Sequence, residues 1–161
     1  MNTFRSFLLG GASVPPRLPP RSIVAASLAS ALAAALLALG GDVLGHTLLL
    51  GSFGASCVLV FGYPDSPFSQ VRNVILGHFL STVVALAVTQ LCGHSWWTLS
   101  LSLGLAVGLM MTLRATHPPA GSNPVIVHLL QPGWDFAVFP TLAGAVLLAV
   151  LARLLAKRGE S

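Results

Sequence analysis

The sequence predicts an all-α integral membrane protein built from six apolar segments, four long and two short or broken. Three observations predict it. Of the 161 residues, 55% are hydrophobic and only 7% charged, where soluble domains carry about 25% charged residues. No Asp, Glu, Lys or Arg stands between Arg72 and Arg114, a gap long enough for two membrane helices of ~20 residues each. The segments also lack the polar face that a helix of a soluble core turns to water. The net charge of +4 does not point to nucleic acid. The basic residues sit at segment ends, where they act as topology signals, and not in a patch interleaved with aromatics.

The elements follow in order. Residues 1–21 contain Val14-Pro15-Pro16-Arg17-Leu18-Pro19-Pro20-Arg21, a poor cleavage region for a signal peptide and a sequence prone to the polyproline conformation. They are expected to form an irregular cytoplasmic arm. Residues 22–156 are expected to form a single polytopic membrane domain, and 157–161 a cytoplasmic tail. The first segment, about 22–39, is rich in Ala and Leu and is expected to end at Gly40-Gly41-Asp42. The second, about 47–61, is short and ends at Gly62-Tyr63-Pro64-Asp65-Ser66-Pro67. The third is about 71–91, and Cys92-Gly93-His94-Ser95 turns it tightly into the fourth, about 96–113. The fifth, about 119–130, is short again and ends at Gln131-Pro132-Gly133; the sixth is about 136–155.

At ~1.5 Å per residue the second segment reaches only ~22 Å and the fifth less, against a ~30 Å hydrocarbon core. Both read as broken or partial helices. Each half of the chain therefore reads long, short, long, which suggests a repeat. If the N-terminus lies in the cytoplasm and all six segments cross, all eight basic residues fall inside, as the positive-inside rule asks. If the short segments re-enter without crossing, Arg72 and Arg114 fall outside. Crossing makes the repeat an inverted 3+3 repeat, a transporter and channel signature with its site at the repeat interface. Trp96 and Trp97 then mark the outer interface.

The leading candidate for function is Thr116-His117-Pro118-Pro119-Ala120-Gly121-Ser122-Asn123-Pro124. Irregular backbone at membrane depth is tolerated only where it is buried in protein or lines a polar cavity. Pro118 biases His117 away from the helical region, and Pro119 suits the first turn of a helix. The small residues let backbone approach closely, and His117, Ser122 and Asn123 supply polar groups. A close-packed helix crossing is the competing reading.

Ahead of the third segment, Arg72 and Asn73 stand at a helix start that can collect an anion. Ser69 or a residue beside it is expected to cap that helix, and Asp65 to pair with Arg72. A plain solvated loop with a structural ion pair accounts for the same residues. His78 and Gln90 lie inside the third segment, where polar groups lean functional. Gly104-Leu105-Ala106-Val107-Gly108 is a small-xxx-small packing pattern that suits folding or oligomerisation. Cys57 and Cys92 are two isolated cysteines without metal-ligand spacing and are expected to be buried small hydrophobes. No metal site, cofactor or catalytic motif is nominated, so an enzyme is not expected. A Ser–His pair could be assembled only through the fold.

These residues resemble a known family. His117-Pro118-Pro119 with Ala120-Gly121-Ser122-Asn123-Pro124 is similar to the signature of the HPP family of integral membrane proteins. Gly51-Ser52-Phe53-Gly54-Ala55-Ser56, then Pro64-Asp65-Ser66-Pro67, Gln70, Arg72-Asn73-Val74-Ile75 and Gly77-His78, resemble that family's other characteristic region. The similarity covers about 22–155. Ser122 stands where Ala is frequent in the family. Plant and cyanobacterial members are associated with nitrite transport, so the resemblance implies passage of a small anion, nitrite above all. The candidate substrate-binding residues are Gly54, Ser56, Asp65, Arg72, Asn73, His78, His117, Gly121, Ser122 and Asn123. The expected partners are the lipid bilayer, the anion and further copies of the chain, with no nucleic acid. The expected location is a bacterial inner membrane with both termini cytoplasmic. The alternative is a structural or partner-binding membrane subunit without transport activity.

Overall fold

The computed structural model describes residues 17–45 and 48–156, and among these there is helix but no strand. Residues 1–16, most of the expected arm, and the tail 157–161 lie outside the described residues, as do His46 and Thr47. Six α-helices follow in chain order: α1 Pro20–Leu44, α2 Gly51–Gly62, α3 Val71–Cys92, α4 Trp96–Thr112, α5 Asn123–Leu130 and α6 Ala143–Ala156. Short 3-10 turns cover Pro67–Ser69 and Pro118–Ser122, and a kinked turn, Ala137–Leu142, leads into α6.

Pro20–Leu44, Val71–Cys92 and Ala137–Leu155 are long and apolar enough to cross a membrane. Gly51–Gly62 and Trp96–Thr112 are apolar but shorter, so the expected four long helices reduce to three clear ones. The sixth is not straight. Pro140 stands inside the turn, with Phe139 extended at φ −135° and ψ 116°, because proline has no N–H for the helical ladder and its ring crowds the preceding turn.

The first helix differs from expectation at both ends. Pro20 and Arg21 belong to it, since proline is preorganised for the first helical turn. Gly40-Gly41-Asp42 does not end it: the helix runs on to Leu44 and closes at Gly45, left-handed at φ 68°. Gly41 is buried, and a Cβ on Gly40 would lie 3.2 Å from Leu48 Cδ1. The glycines serve the approach of the chain that follows α1.

α3 is the central helix. Its buried residues recur at three- and four-residue steps, with His78, Ser81, Thr82, Ala85 and Thr89 on one face, and it packs against α4, α5 and α6. α1 buries only Ala33, Leu37 and Gly41 and leaves Leu28, Leu39 and Val43 exposed, the pattern of a lipid-facing helix.

Contacts fix which ends lie together. Arg72, at the start of α3, bonds the Leu113 and Arg114 carbonyls past the end of α4. One cleft is lined by Leu18, Tyr63 and Leu155, another by Val71 and Arg153. The described arginines, Arg17, Arg21, Arg72, Arg114 and Arg153, therefore share one end of the bundle. At the other end Trp134 Nε1 bonds Gln90 Oε1 at 2.9 Å. The chain thus passes between the ends along both short helices. Residues 48–50 and 115–117 precede them without helix; the 3-10 turn before α5 packs against α3 and α2, and α2 packs against α1, α6 and that turn.

Candidate functional site: a buried polar chain

The short helices α2 and α5 and the chain before α5 bring four polar side chains together on α3. Ser56 comes from α2, His78 from α3, His117 from the stretch before the 3-10 turn, and Asn123 from the first position of α5. All four are fully buried. Phe53 lays its ring edge on His78 with centroids 4.9 Å apart, and Gly144 makes room for Phe53, since a Cβ there would overlap its ring. Gly77 makes room for His117: a Cβ on Gly77 would lie 2.8 Å from His117 Cβ.

Groups that can only accept fix the protons of this cluster. The Phe68 carbonyl lies 2.7 Å from His117 Nδ1, so Nδ1 carries the proton and Nε2 is left as an acceptor. Asn123 Nδ2 lies 3.1 Å from the His78 carbonyl oxygen and 2.9 Å from Thr82 Oγ1. That carbonyl sets the amide orientation, because Oδ1 in its place would oppose an acceptor. Nδ2 also lies 3.2 Å from His78 Nδ1, so Nδ1 is the accepting nitrogen and the proton of His78 sits on Nε2. Ser56 Oγ stands between the rings, 2.9 Å from His78 Nε2 and 2.8 Å from His117 Nε2. It accepts from the first and donates to the second, with the Ser52 carbonyl at 3.0 Å competing for the same proton.

The result is a directional chain: the Asn123 amide donates to His78, His78 to Ser56, Ser56 to His117, and His117 to the Phe68 carbonyl. Ser81 Oγ ties α3 to the Ala120 carbonyl at 2.7 Å, and Thr82 reaches Thr141 on the kinked turn at 3.4 Å. Two buried oxygens at the starts of the short helices, Ser52 Oγ and Asn123 Oδ1, have no partner. An orphaned buried polar atom costs about 1–3 kcal/mol.

The other candidates lie elsewhere. Gly54 and Ser122 are exposed and Gly121 half-buried; the Ser122 hydroxyl donates to the Pro119 carbonyl at 2.8 Å. Asp65 is exposed, and among the described residues no ion pair joins it to Arg72. Arg72 instead donates to the Arg114 and Leu113 carbonyls at 2.7 and 3.0 Å, because the end of α4 presents free carbonyls and negative potential to a cation. Asn73 donates to the Pro67 carbonyl at 2.7 Å. Ser69 does not cap α3; its hydroxyl serves the Leu59 and Tyr63 carbonyls, while Gln70 occupies the cap position with no side-chain bond. His128 lies tilted beside His94, centroids 5.7 Å apart, with Nδ1 buried and unpartnered. Cys57 is buried as expected, but Cys92 is exposed at the last position of α3. Gly104 and Gly108 are exposed, and added Cβ atoms there would meet open space.

Sequence reasoning missed Gly77, Ser81, Thr82 and Thr141 as site residues. A signal for three of them was present: small and polar residues recur on one face of the third segment, where lipid-facing positions would be apolar throughout. The Ser–His pair that no motif nominated is also assembled here, with a carbonyl in place of the orienting carboxylate of a catalytic triad.

The chain is similar to known membrane proteins. The model of the HPP transmembrane region matches residues 15–160. A transmembrane protein of Dictyostelium discoideum is 36% identical over 113 residues, which are 65% of this chain and 40% of that protein. A second transmembrane protein of the same organism is 32% identical over 112 residues, 65% of this chain and 36% of its own length. The chain thus spans less than half the length of these curated relatives. No solved structure matches it.

Proposed function

The chain belongs to the HPP family of integral membrane proteins, and from that premise we propose that it passes a small inorganic anion, nitrite foremost, across the membrane. The observation that carries this reading is the pair of interrupted helices. α2 and α5 are both short, each follows a stretch outside the α-helices, and the buried cluster draws Ser56 and Asn123 from their first two turns, beside His78 and His117. Helix starts carry free N–H groups and positive potential that suit anions, and paired broken helices near the midplane are how many transporters build their sites. Nitrite itself enters through the family resemblance alone.

The same reading takes the halves α1–α3 and α4–α6 as inverted repeats. It sets the arginine-bearing end in the cytoplasm of a bacterial cell, and it lets several copies shield the polar path from lipid. Arg72 attracts the anion to the cytoplasmic mouth while it holds the end of α4.

Purified protein in liposomes tests the proposal. Nitrite should enter faster than into empty vesicles, with formate, nitrate and chloride as competitors. A folded protein with no flux above empty vesicles favours the structural-subunit reading. The Ser56–His117 contact of 2.8 Å also favours a second reading, an intramembrane hydrolase with Ser56 as nucleophile. A serine-reactive fluorophosphonate probe separates the two, since labelling that Ser56→Ala abolishes would support the hydrolase.

A further inference from the structure

The end of the bundle away from the arginines holds two histidines that the buried cluster does not use. We propose that His94 and His128 form a binding site for a divalent transition-metal ion of the zinc and copper class, which ties the last turn of α5 to the turn between α3 and α4. The site is independent of what the chain carries across the membrane.

The two rings come from different elements. His94 stands in the turn between α3 and α4, and His128 in the last turn of α5. Their ring centres lie 5.7 Å apart, with the planes at 52°. With metal–nitrogen bonds of ~2.0–2.1 Å and each ring centre about 1.1 Å behind its nitrogen, two imidazoles that share one ion have centres about 5–6 Å apart. The backbone therefore already sets the rings at the separation that a shared ion needs.

Neither ring is spent on another partner. Among the described residues no hydrogen bond reaches either ring, and His128 Nδ1 is buried without a partner. A neutral imidazole keeps a lone pair on one nitrogen and is the commonest protein ligand for a metal. An ion between the rings gives each of them the partner it lacks.

The chain on both sides is held. Gly93, before His94, turns at φ 77°, where glycine alone is unstrained. Ser95, after it, caps α4 in a capping box, with its N–H donating to Thr98 Oγ1 at 2.9 Å. Past His128, Gln131 closes α5 at φ 49°, and Trp134 Nε1 bonds Gln90 Oε1 on α3 at 2.9 Å. α5 itself packs on α3 and α4. Ligands carried on a backbone held in this way lose little freedom when the ion binds.

The donors fix the class of ion. Imidazole suits zinc, copper and nickel, whereas magnesium and calcium take oxygen ligands. Among the described residues no group of three His, Cys, Asp or Glu is placed to hold a metal, so the protein supplies two ligands and water completes the shell. His94 is exposed, so an ion reaches the site from solvent. Cys92, two residues before His94, and Asp135, beyond α5, are exposed at the same end, and the test must separate them from the histidines.

Untagged full-length protein in detergent, stripped with a chelator and titrated with zinc chloride, tests the proposal. One Zn²⁺ should bind per chain, and the melting temperature should rise with zinc concentration as mass action requires. Mg²⁺ at the same concentration should do neither. His94→Ala and His128→Ala should each weaken zinc binding about tenfold or more, since losing a ligand costs at least what losing a ligand's support costs. Cys92→Ser, Asp135→Asn and His46→Ala should bind zinc as the unmodified protein does. His94 is exposed on a turn, so His94→Ala should keep its metal-free melting temperature and carries the test even where His128→Ala does not fold. Absence of saturable zinc binding overturns the proposal. So does binding that the histidine variants keep, or binding that depends on Cys92, Asp135 or His46 in their place.

Discussion

Gly77 and His117 are in contact across two segments of chain: a Cβ on Gly77 would stand 2.8 Å from His117 Cβ and 3.2 Å from the Ala115 carbonyl oxygen. Neither neighbour is the loose end of a flexible side chain, so Gly77→Ala must push the His117 stretch away from α3. Overpacking of this kind costs about 1–3 kcal/mol. The variant should melt lower and lose uptake more than stability, because His117 is carried away from Ser56. An unchanged melting curve with full uptake would show that the stretch yields freely.

The two histidines are expected in opposite tautomers, His78 protonated on Nε2 and His117 on Nδ1. Nitrogen NMR of ring-labelled protein should give one signal pattern of each kind. Two identical patterns would break the directional chain.

Asn123→Asp is expected to be among the most damaging conservative substitutions. The amide donates toward His78 Nδ1, the His78 carbonyl and Thr82 Oγ1 at 3.2, 3.1 and 2.9 Å. A carboxylate would set an acceptor against that carbonyl in a fully buried position. The penalty is a lost donor plus a buried charge, at least ~3 kcal/mol, and should appear as loss of folded protein on size exclusion. Asn123→Gln, which keeps the donor, should retain more folded protein.

Arg72→Gln should lower the melting temperature modestly. It removes charged hydrogen bonds to the Leu113 and Arg114 carbonyls, worth ~1 kcal/mol at so exposed a site. Arg72→Lys should recover only part, since a point charge cannot reproduce the fork that reaches both carbonyls. Asp65→Asn should leave the melting temperature unmoved, as no ion pair joins Asp65 to Arg72. A shared loss in the Arg72 and Asp65 variants would contradict the carbonyl clamp.

Reporter fusions at Ser66 and Gly93 should report opposite sides of the membrane. α3 runs from the arginine-bearing end, beside Ser66, to Gly93 at the other. Signals from one side only would contradict a crossing α3.

The sequence by itself determined the helical membrane class, the family and the place of the break. Low charge, apolar runs and the His117-Pro118-Pro119 signature act locally, and they are legible because each limits what the backbone can do where it stands. It also marked Ser56, His78, His117 and Asn123 as candidates, through two motifs 61 residues apart at the Ser56–His117 contact. Only the tertiary structure decided which candidates meet. Arg72 and Asp65, close in sequence with opposite charges, do not pair, because the free carbonyls past α4 offer Arg72 a better-placed partner. Ser56 joins the histidines because α2 packs on the 3-10 turn that follows His117, which itself packs on α3. The kink at Pro140 and the small-residue face of α3 also needed the fold to acquire meaning. A hydrogen bond between distant residues depends on how whole helices pack, and that packing is set by the sum of their contacts, not by any one motif.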